Sequence, residues 1–269
     1  MRRFLLVAMM CGAAAGAQAA DMPDYLRGSF TDGLSRIEVN WSGVYVGGQV
    51  ARGAGDMDFT NSTTDMMTRL VNNSSADTQF NVSQWPLLGK AHAPSNSAYG
   101  AFAGYNFQWS DVLIGIELNY SHGAFGASST GSQVRTVTSN NVTTNVIALA
   151  SGSMRVTDFG SLRVRGGYAV GSFLPYAFVG VGLGQADINR SVELVVRYDA
   201  PGVASTFAPR MLLTDNANSH FVTGFAGGLG IDMMLYAGLF LRAEWEYLRF
   251  TSSVDTTVNT VRAGLGYKF

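Results

Sequence analysis

Eight charged residues occupy alternate positions in short β-like segments, and their types and spacing could do chemistry. They are Glu117, Arg163, Arg165, Arg242, Glu244, Glu246, Arg262 and Lys268. Residues two apart in a strand share a face. Acids and bases that point into one narrow interior should form ion pairs, because an unpaired buried charge is costly. We interpret the set as a structural network of ion pairs. The alternative is a charged constriction for ions.

The three histidines, His92, His122 and His220, are the other candidates for chemistry. Ser121 adjoins His122, but neighbours in a strand point to opposite faces and cannot form a nucleophile–base pair. The predicted strand topology places all three histidines on the extracellular side, which would suit a metal or haem contact. Scattered, solvated histidines are the simpler interpretation. We therefore expect no enzymatic activity and no cofactor.

The segment that ends at Phe269 shows which element positions such charges. Its apolar positions are Val261, Ala263, Leu265, Tyr267 and Phe269, and they alternate with Arg262, Gly264, Gly266 and Lys268. A period of two predicts a strand. A strand with lipid on one side and a wet, ion-paired lumen on the other needs this pattern, with aromatic residues at the membrane interface. The segment is therefore predicted to be the closing strand of a transmembrane barrel.

The beginning of the chain has the pattern of an export signal. Arg2 and Arg3 precede a short apolar core, and small residues suit cleavage before Ala20. We expect residues 1–19 to be a signal peptide, residues 20–40 a periplasmic lead-in, and residues 41–269 the barrel. The only cysteine, Cys11, lies in the leader, so the mature protein would have no thiol.

The composition also favours a membrane barrel. Only 14% of the residues are charged, against about 25% in typical globular proteins, while 47% are hydrophobic. No run of about 18 apolar residues follows the leader, which excludes a helical span. An outer-membrane barrel and a secreted β-sandwich remain. The net charge of −1 and the lack of a basic patch indicate no nucleic-acid partner.

Turn and loop signals divide the chain into about eight strands. Tight turns are predicted at Ser110–Asp111, at Gly171–Ser172 and near residues 235–238. Polar segments without steady periodicity are predicted to be long loops, at about 52–96, 123–153 and 187–219, and residues 251–257 form a shorter connection. Short periplasmic turns and longer outer loops are typical of outer-membrane barrels. The predicted fold is all-β, an eight-stranded antiparallel transmembrane β-barrel with long extracellular loops.

Several motifs resemble the small outer-membrane barrels of alphaproteobacteria, the opacity-protein-like porin family of rhizobia and brucellae. They are the segments 41–48 (WSGVYVGG), 104–109 (GYNFQW), 115–117 (GIE), 162–168 (LRVRGGY), 174–176 (LPY), 242–247 (RAEWEY) and 261–269 (VRAGLGYKF). The likeness spans nearly every strand but not the loops. It implies that the outward positions Val261, Leu265, Tyr267 and Phe269 act as the recognition signal for the barrel-assembly machinery.

We therefore expect a protein of the cell outer membrane that supports envelope integrity and presents surface loops. A narrow porin for small ions or solutes is one alternative. A surface adhesin, or a receptor for haem or another ligand, is the other. The expected partners are outer-membrane lipid and lipopolysaccharide, the barrel-assembly machinery, and possible host or extracellular ligands at the loops.

Overall fold

The structure is a computed structural model that describes residues 39–72 and 75–269. The predicted signal peptide and nearly all of the predicted lead-in, residues 20–40, lie outside the described residues. Nine strands occur in the described ranges: β1 (Gly43–Asp58), β2 (Lys90–Trp109), β3 (Val112–Ser139), β4 (Val142–Tyr168), β5 (Phe173–Asp199), β6 (Thr206–Phe207), β7 (Met211–Tyr236), β8 (Leu239–Thr251) and β9 (Asp255–Lys268). Between β1 and β2 lie the helices α1 (Thr64–Val71) and α2 (Ser75–Phe80) and a short 3₁₀ turn, Val82–Gln84.

Eight of these strands close into a ring. Each strand pairs antiparallel with its neighbours in the order β1, β2, β3, β4, β5, β7, β8, β9, and β9 pairs back to β1. The two-residue β6 pairs with the end of β5. The predicted eight-stranded antiparallel barrel is confirmed.

The outer surface carries an apolar belt. On β3 the side chains of Val112, Ile114, Ile116, Leu118 and Tyr120 are all at least half exposed, and the residues between them are buried. This stretch has the length that a tilted transmembrane strand needs, about 9–11 residues. On β5, Val179 and Val181 also face outward, whereas Tyr176 and Phe178 face inward. An apolar exterior around a polar interior is the arrangement that lipid requires.

Three tight turns join the strands at one end of the barrel. Ser110, Gly171, Ala237 and Gly238 have positive φ angles there, as short hairpin turns require. These positions match the turns predicted from the sequence. By the usual orientation of such barrels, this end is periplasmic.

The opposite end differs from the prediction, because most of the expected long loops are continuations of the strands. β3, β4, β5 and β7 contain 28, 27, 27 and 26 residues, so about two thirds of β3 lies beyond its apolar belt. Pairing between β3 and β4 continues to Ser139 and Val142. We name the part of these four strands beyond the belt the extension.

Two features explain why the sequence pattern predicted loops where the structure has the extension. The register shifts between His122 and Phe125 on β3, and between Val156 and Asp158 on β4. On β4 the extra residue of the bulge changes the inward positions from odd numbers, such as Phe159, to even numbers, such as Val156, which interrupts the period of two. On β3 the alternation continues through the shift. Beyond the bulges the outward positions hold mostly Ser, Thr and Asn, because no lipid faces them. The apolar positions then point inward.

Residues 59–72 and 75–89, between β1 and β2, pack against the inner face of the extension, and we name them the plug. Phe59, Met66, Met67, Val71 and Val82 are buried in one apolar core with inward residues of β4 and β5. Arg190 of β5 donates from Nη1 to the Ser62 carbonyl at 2.5 Å and to Asp65 at 3.1 Å. The extracellular half of the barrel is therefore filled by its own chain. None of the helices in the described ranges is long and apolar enough to cross a membrane.

A protease test follows from this topology. In intact cells, a broad-specificity protease added outside should cut first within residues 201–205, which are exposed and lie between β5 and β6. It should spare Ser110–Asp111, because that turn lies on the periplasmic side. Mass spectrometry of the fragments gives the cut sites. Early cleavage at Ser110–Asp111 in intact cells would contradict the orientation.

Candidate functional site

The middle of the barrel interior holds eight charged side chains. Seven of them were predicted from the sequence, and the eighth is Asp232. Four arginines face four carboxylates: Arg163, Arg165, Arg242 and Arg262, with Glu117, Asp232, Glu244 and Glu246. All are at most 3% exposed. The formal charges cancel, and we name this set the ionic layer.

Arg163 joins three carboxylates at the centre of the ionic layer. Its guanidinium donates to Glu244 from Nη1 at 2.8 Å and from Nη2 at 2.7 Å, which makes a bidentate pair. Its Nε donates to Glu117 Oε1 at 3.0 Å, and its Nη2 also bonds Glu117. Nη1 reaches Glu246 at 3.4 Å. Bidentate, charge-assisted bonds are among the strongest in proteins.

Two further arginines complete one side of the ionic layer. Arg242 donates to Asp232 from Nε at 2.8 Å and to Glu117 from Nη1 at 2.8 Å. Arg165 donates from Nη2 to Asp232 at 2.8 Å. Phenol groups add bonds, since Tyr45 donates to Glu117 at 2.6 Å and Tyr176 donates to Glu244 at 2.8 Å. Carboxylate oxygens are therefore shared among several donors, as buried charge requires.

Arg262 closes the other side of the ionic layer. Its Nη1 donates to the Asn119 side chain at 2.7 Å, and its Nη2 bonds Glu246. Asn119 also accepts from Gln49 at 3.0 Å. The polar layer thus extends from β9 across to β1 and β3 through neutral side chains.

Aromatic rings support the guanidinium groups and fill the periplasmic end. The Cζ of Arg242 lies 3.9 Å from the ring centre of Phe102, and that of Arg165 lies 4.1 Å from the ring centre of Tyr176. Towards the short turns the interior is packed by Trp41, Tyr45, Phe102, Leu113, Leu174 and Phe240. Inward glycines make room for these rings; a Cβ at Gly266 would collide with Phe240. The interior thus consists of an aromatic layer, the ionic layer and the apolar core with the plug.

Lys268 does not join the ionic layer, which corrects the prediction for this residue. Its Nζ donates to the Ser42 carbonyl at 2.9 Å and to the Phe269 carbonyl at 3.3 Å, at the periplasmic rim. The alternation of β9 correctly predicted that Lys268 lies on the inward face of the strand. However, Lys268 is at the end of the strand, too far from the carboxylates of the ionic layer. Lys268 instead ties β9 to the start of β1.

The four residues predicted as an assembly signal all face outward. Val261, Leu265, Tyr267 and Phe269 are between 44% and 70% exposed. The Tyr267 and Phe269 rings contact edge to face, with their centres 5.1 Å apart. The Phe269 amide donates to the Val44 carbonyl at 2.9 Å. These residues therefore form an outward row at the seam between β9 and β1.

The histidines lie apart from one another and from the ionic layer. His92 bonds the exposed Asp56 at 2.8 Å, and His122 bonds the half-buried Asp158 at 2.8 Å. Ser121 is buried in the interior and accepts from Gln49, so Ser121 and His122 lie on opposite sides of the barrel wall. In the described part of the chain, no three His, Cys, Asp or Glu side chains are grouped to hold a metal ion.

At the far end of the extension, polar contacts fold the connection that follows β5. Asp199 accepts from Arg197 Nε at 2.8 Å and from Asn145 at 2.8 Å, and Ser205 also donates to it. These bonds, first that of the Ser205 hydroxyl, lower the pKa of Asp199 below its ordinary value. The connection is therefore anchored at its two ends and exposed between them.

Comparison with known proteins agrees with this architecture. The sequence model of the outer membrane protein beta-barrel domain family matches residues 4–269. The 25 kDa outer-membrane immunogenic protein of Brucella ovis is 25% identical over 176 residues, which are 65% of this chain and 65% of that protein. The protein of the same name from Brucella canis is 24% identical over 186 residues, 65% of this chain and 67% of that protein.

Among solved structures, the outer membrane protein OprG from Pseudomonas aeruginosa is 14% identical. The match covers 87% of this chain and 99% of that chain, with a TM-score of 0.40. The family match covers nearly the whole sequence, and the resemblance to brucellar outer-membrane proteins is confirmed. The chain therefore belongs to the outer membrane protein beta-barrel domain family, and it is a protein of the outer membrane.

Proposed function

We propose that this protein is a structural, non-enzymatic barrel that supports envelope integrity and presents an ordered sheet at the cell surface. The proposal rests on one observation: the interior of the barrel is filled along its whole height. Aromatic residues occupy the periplasmic end, the ionic layer the middle, and the plug the extracellular end. An eight-stranded barrel has an interior just wide enough for its own side chains to fill.

The narrow-porin alternative needs the charges of the ionic layer to line an open path. The side chains of Arg163, Arg165 and Arg242 are 0% exposed. Their carboxylate partners are exposed by no more than 2%. Buried charges that are paired with one another do not line an open path for ions. The burial therefore favours the structural role over conduction.

Conductance measurements separate the two functions. In a planar bilayer, the purified protein should give small, intermittent currents, because each of the three layers blocks the interior. Arg262→Gln should lower the unfolding temperature, since it removes the closer of the two arginine partners of Glu246. A porin would instead conduct steadily, and the same substitution would alter its ion selectivity with little change in stability. Steady currents, altered selectivity and an unchanged unfolding temperature would together refute the structural proposal.

A further inference from the structure

A groove crosses the outer face of the barrel at the upper edge of the apolar belt. It has a volume of about 560 Å³ and runs over β3, β4 and β5 to β7. Its apolar walls are formed by Leu118, Leu162, Leu183 and Phe221. Gly160 has no side chain, which makes the groove deeper at that point. The Tyr120 hydroxyl, which donates to Asp158 at 2.6 Å, marks its polar edge. Because the belt lies in lipid, a hydrocarbon chain is the occupant that this part of the groove fits.

Directly above the groove, the same four strands present two rows of small polar side chains. Across β3, β4, β5 and β7 the paired residues of the first row are Ser128, Ser153, Asn189 and Asn216. Those of the second row are Thr130, Ser151, Ser191 and Thr214. All eight are exposed or half-buried, whereas their neighbours Met154, Ile188 and Val192 are buried in the interior. The rows therefore face outward.

The height of the rows places them beside the polar part of the membrane surface. Ser153 lies five residues beyond Asp158 on β4, about 17 Å along the strand. The rows offer eight hydroxyl or amide groups and no charge, a surface that can donate and accept hydrogen bonds at closely spaced points. Sugar hydroxyls, which both donate and accept, match such a surface. Each polar headgroup region is only about 5–8 Å thick, so phospholipid headgroups alone do not reach this height.

Between the groove and the rows lies an exposed cation. Arg155 follows the belt on β4 and pairs across the strands with Gly126 and Asp187. In the described part of the chain its guanidinium forms no ion pair, and the Asp187 carboxylate is already engaged by the Ser219 amide at 2.9 Å. An unpaired arginine at this level suits a phosphate, which it can bind in bidentate fashion.

We propose that this side of the barrel is a seat for a phosphate-bearing glycolipid of the outer leaflet. An acyl chain lies in the groove, the phosphate meets Arg155, and the sugars hydrogen-bond to the two polar rows. The continuity of the three features on the same four strands argues for one amphiphilic occupant. The seat is on the outer wall, so an open barrel interior would leave this inference untouched.

The test uses the full-length protein in phosphatidylethanolamine vesicles with or without rough lipopolysaccharide. Wild-type protein should unfold at a higher temperature when lipopolysaccharide is present. It should also retain the glycolipid after extraction into mild detergent, as measured by mass spectrometry. Arg155→Gln and Thr130→Glu should each reduce retention roughly tenfold, the size expected for losing one charge-assisted hydrogen bond or adding a repulsive carboxylate.

Thr138→Glu is the matched control, because it places the same charge on the same strand near the hairpin tip. This variant should retain lipopolysaccharide as the wild type does. Equal retention by the wild type and both test variants would overturn the proposal. An equal loss in Thr138→Glu, or the same unfolding temperature of the wild type with and without lipopolysaccharide, would do the same, since either would show that no specific seat exists.

Discussion

Replacing Arg163 with glutamine should lower the unfolding temperature of the barrel by roughly 10 °C. Arg163 is the guanidinium that joins Glu117, Glu244 and Glu246, and its side chain is fully buried. Its loss leaves three carboxylates together without their shared cation. Breaking a buried pair costs about 3–5 kcal/mol, and in a chain of this size each kcal/mol shifts the midpoint by about 2–4 °C.

The measurement is the temperature at which the detergent-folded barrel changes its mobility on an electrophoresis gel. Arg249→Gln is the control, because Arg249 pairs with Asp255 at 3.4 Å while both side chains are nearly half exposed. Exposed pairs contribute little, so this variant should unfold close to the wild type. Equal unfolding temperatures for Arg163→Gln and the wild type would show that the ionic layer contributes nothing to stability.

A double substitution tests whether burial or attraction dominates in the ionic layer. Replacing Arg262 and Glu246 together by methionine should cost less stability than replacing either residue alone. Each single change leaves an uncompensated charge, whereas the double change removes both charges and keeps the volume filled. Additive losses would mean that the two residues do not interact, despite the contact between Arg262 Nη2 and the Glu246 carboxylate.

The second large effect is expected at Phe269. Phe269→Asp should reduce the amount of folded protein in the outer membrane to a small fraction of the wild-type level. Phe269 is 70% exposed and continues the outward row of β9 at the seam with β1. We propose that the assembly machinery reads this row, as the resemblance to small alphaproteobacterial outer-membrane barrels implies. Folded protein in washed outer membranes, detected by its heat-dependent mobility, gives the result.

Phe107→Asp is the matched control for Phe269. Phe107 is also outward-facing, is 61% exposed and lies at the periplasmic end of β2. A charge near the membrane interface costs little by itself, about 0–1 kcal/mol. This variant should therefore assemble well. Equal defects in the two variants would assign the effect to lost lipid contact, and normal levels of Phe269→Asp would remove the signal role altogether.

The fold could be predicted from the sequence where lipid imposes alternation. Val112 to Tyr120 has apolar residues at every second position because lipid lies on one side and the interior on the other. The same alternation places Arg163 and Glu244 inward. Asp232 was missed although it occupies the next inward position after Gly228 and Gly230 of β7, so the pattern contained this signal. Alternation gives a residue's face, but not its depth along the barrel, which is why Lys268 was misplaced.

The extension and the plug could not be predicted in the same way. Outside the membrane, Ser, Thr and Asn at outward positions are compatible with either loop or strand, and the bulge near Thr157 breaks the alternation of β4. The spacing of Met67 and Val71 is a helix signal within α1. Where such a short helix lies depends on tertiary packing against β4 and β5. Local sequence holds no information on that choice.

The extension also determines how antibodies can recognise this protein on a cell. Residues that adjoin along β3 or β4 point to opposite sides of the sheet, so an antibody outside the folded protein meets only every second side chain. Neighbouring surface side chains such as Asn145 and Arg197, which are paired across β4 and β5, come from distant parts of the chain. Most epitopes on the extension are therefore discontinuous. Linear peptides copied from residues 123–153 would present both faces at once and would elicit antibodies that bind the native sheet poorly.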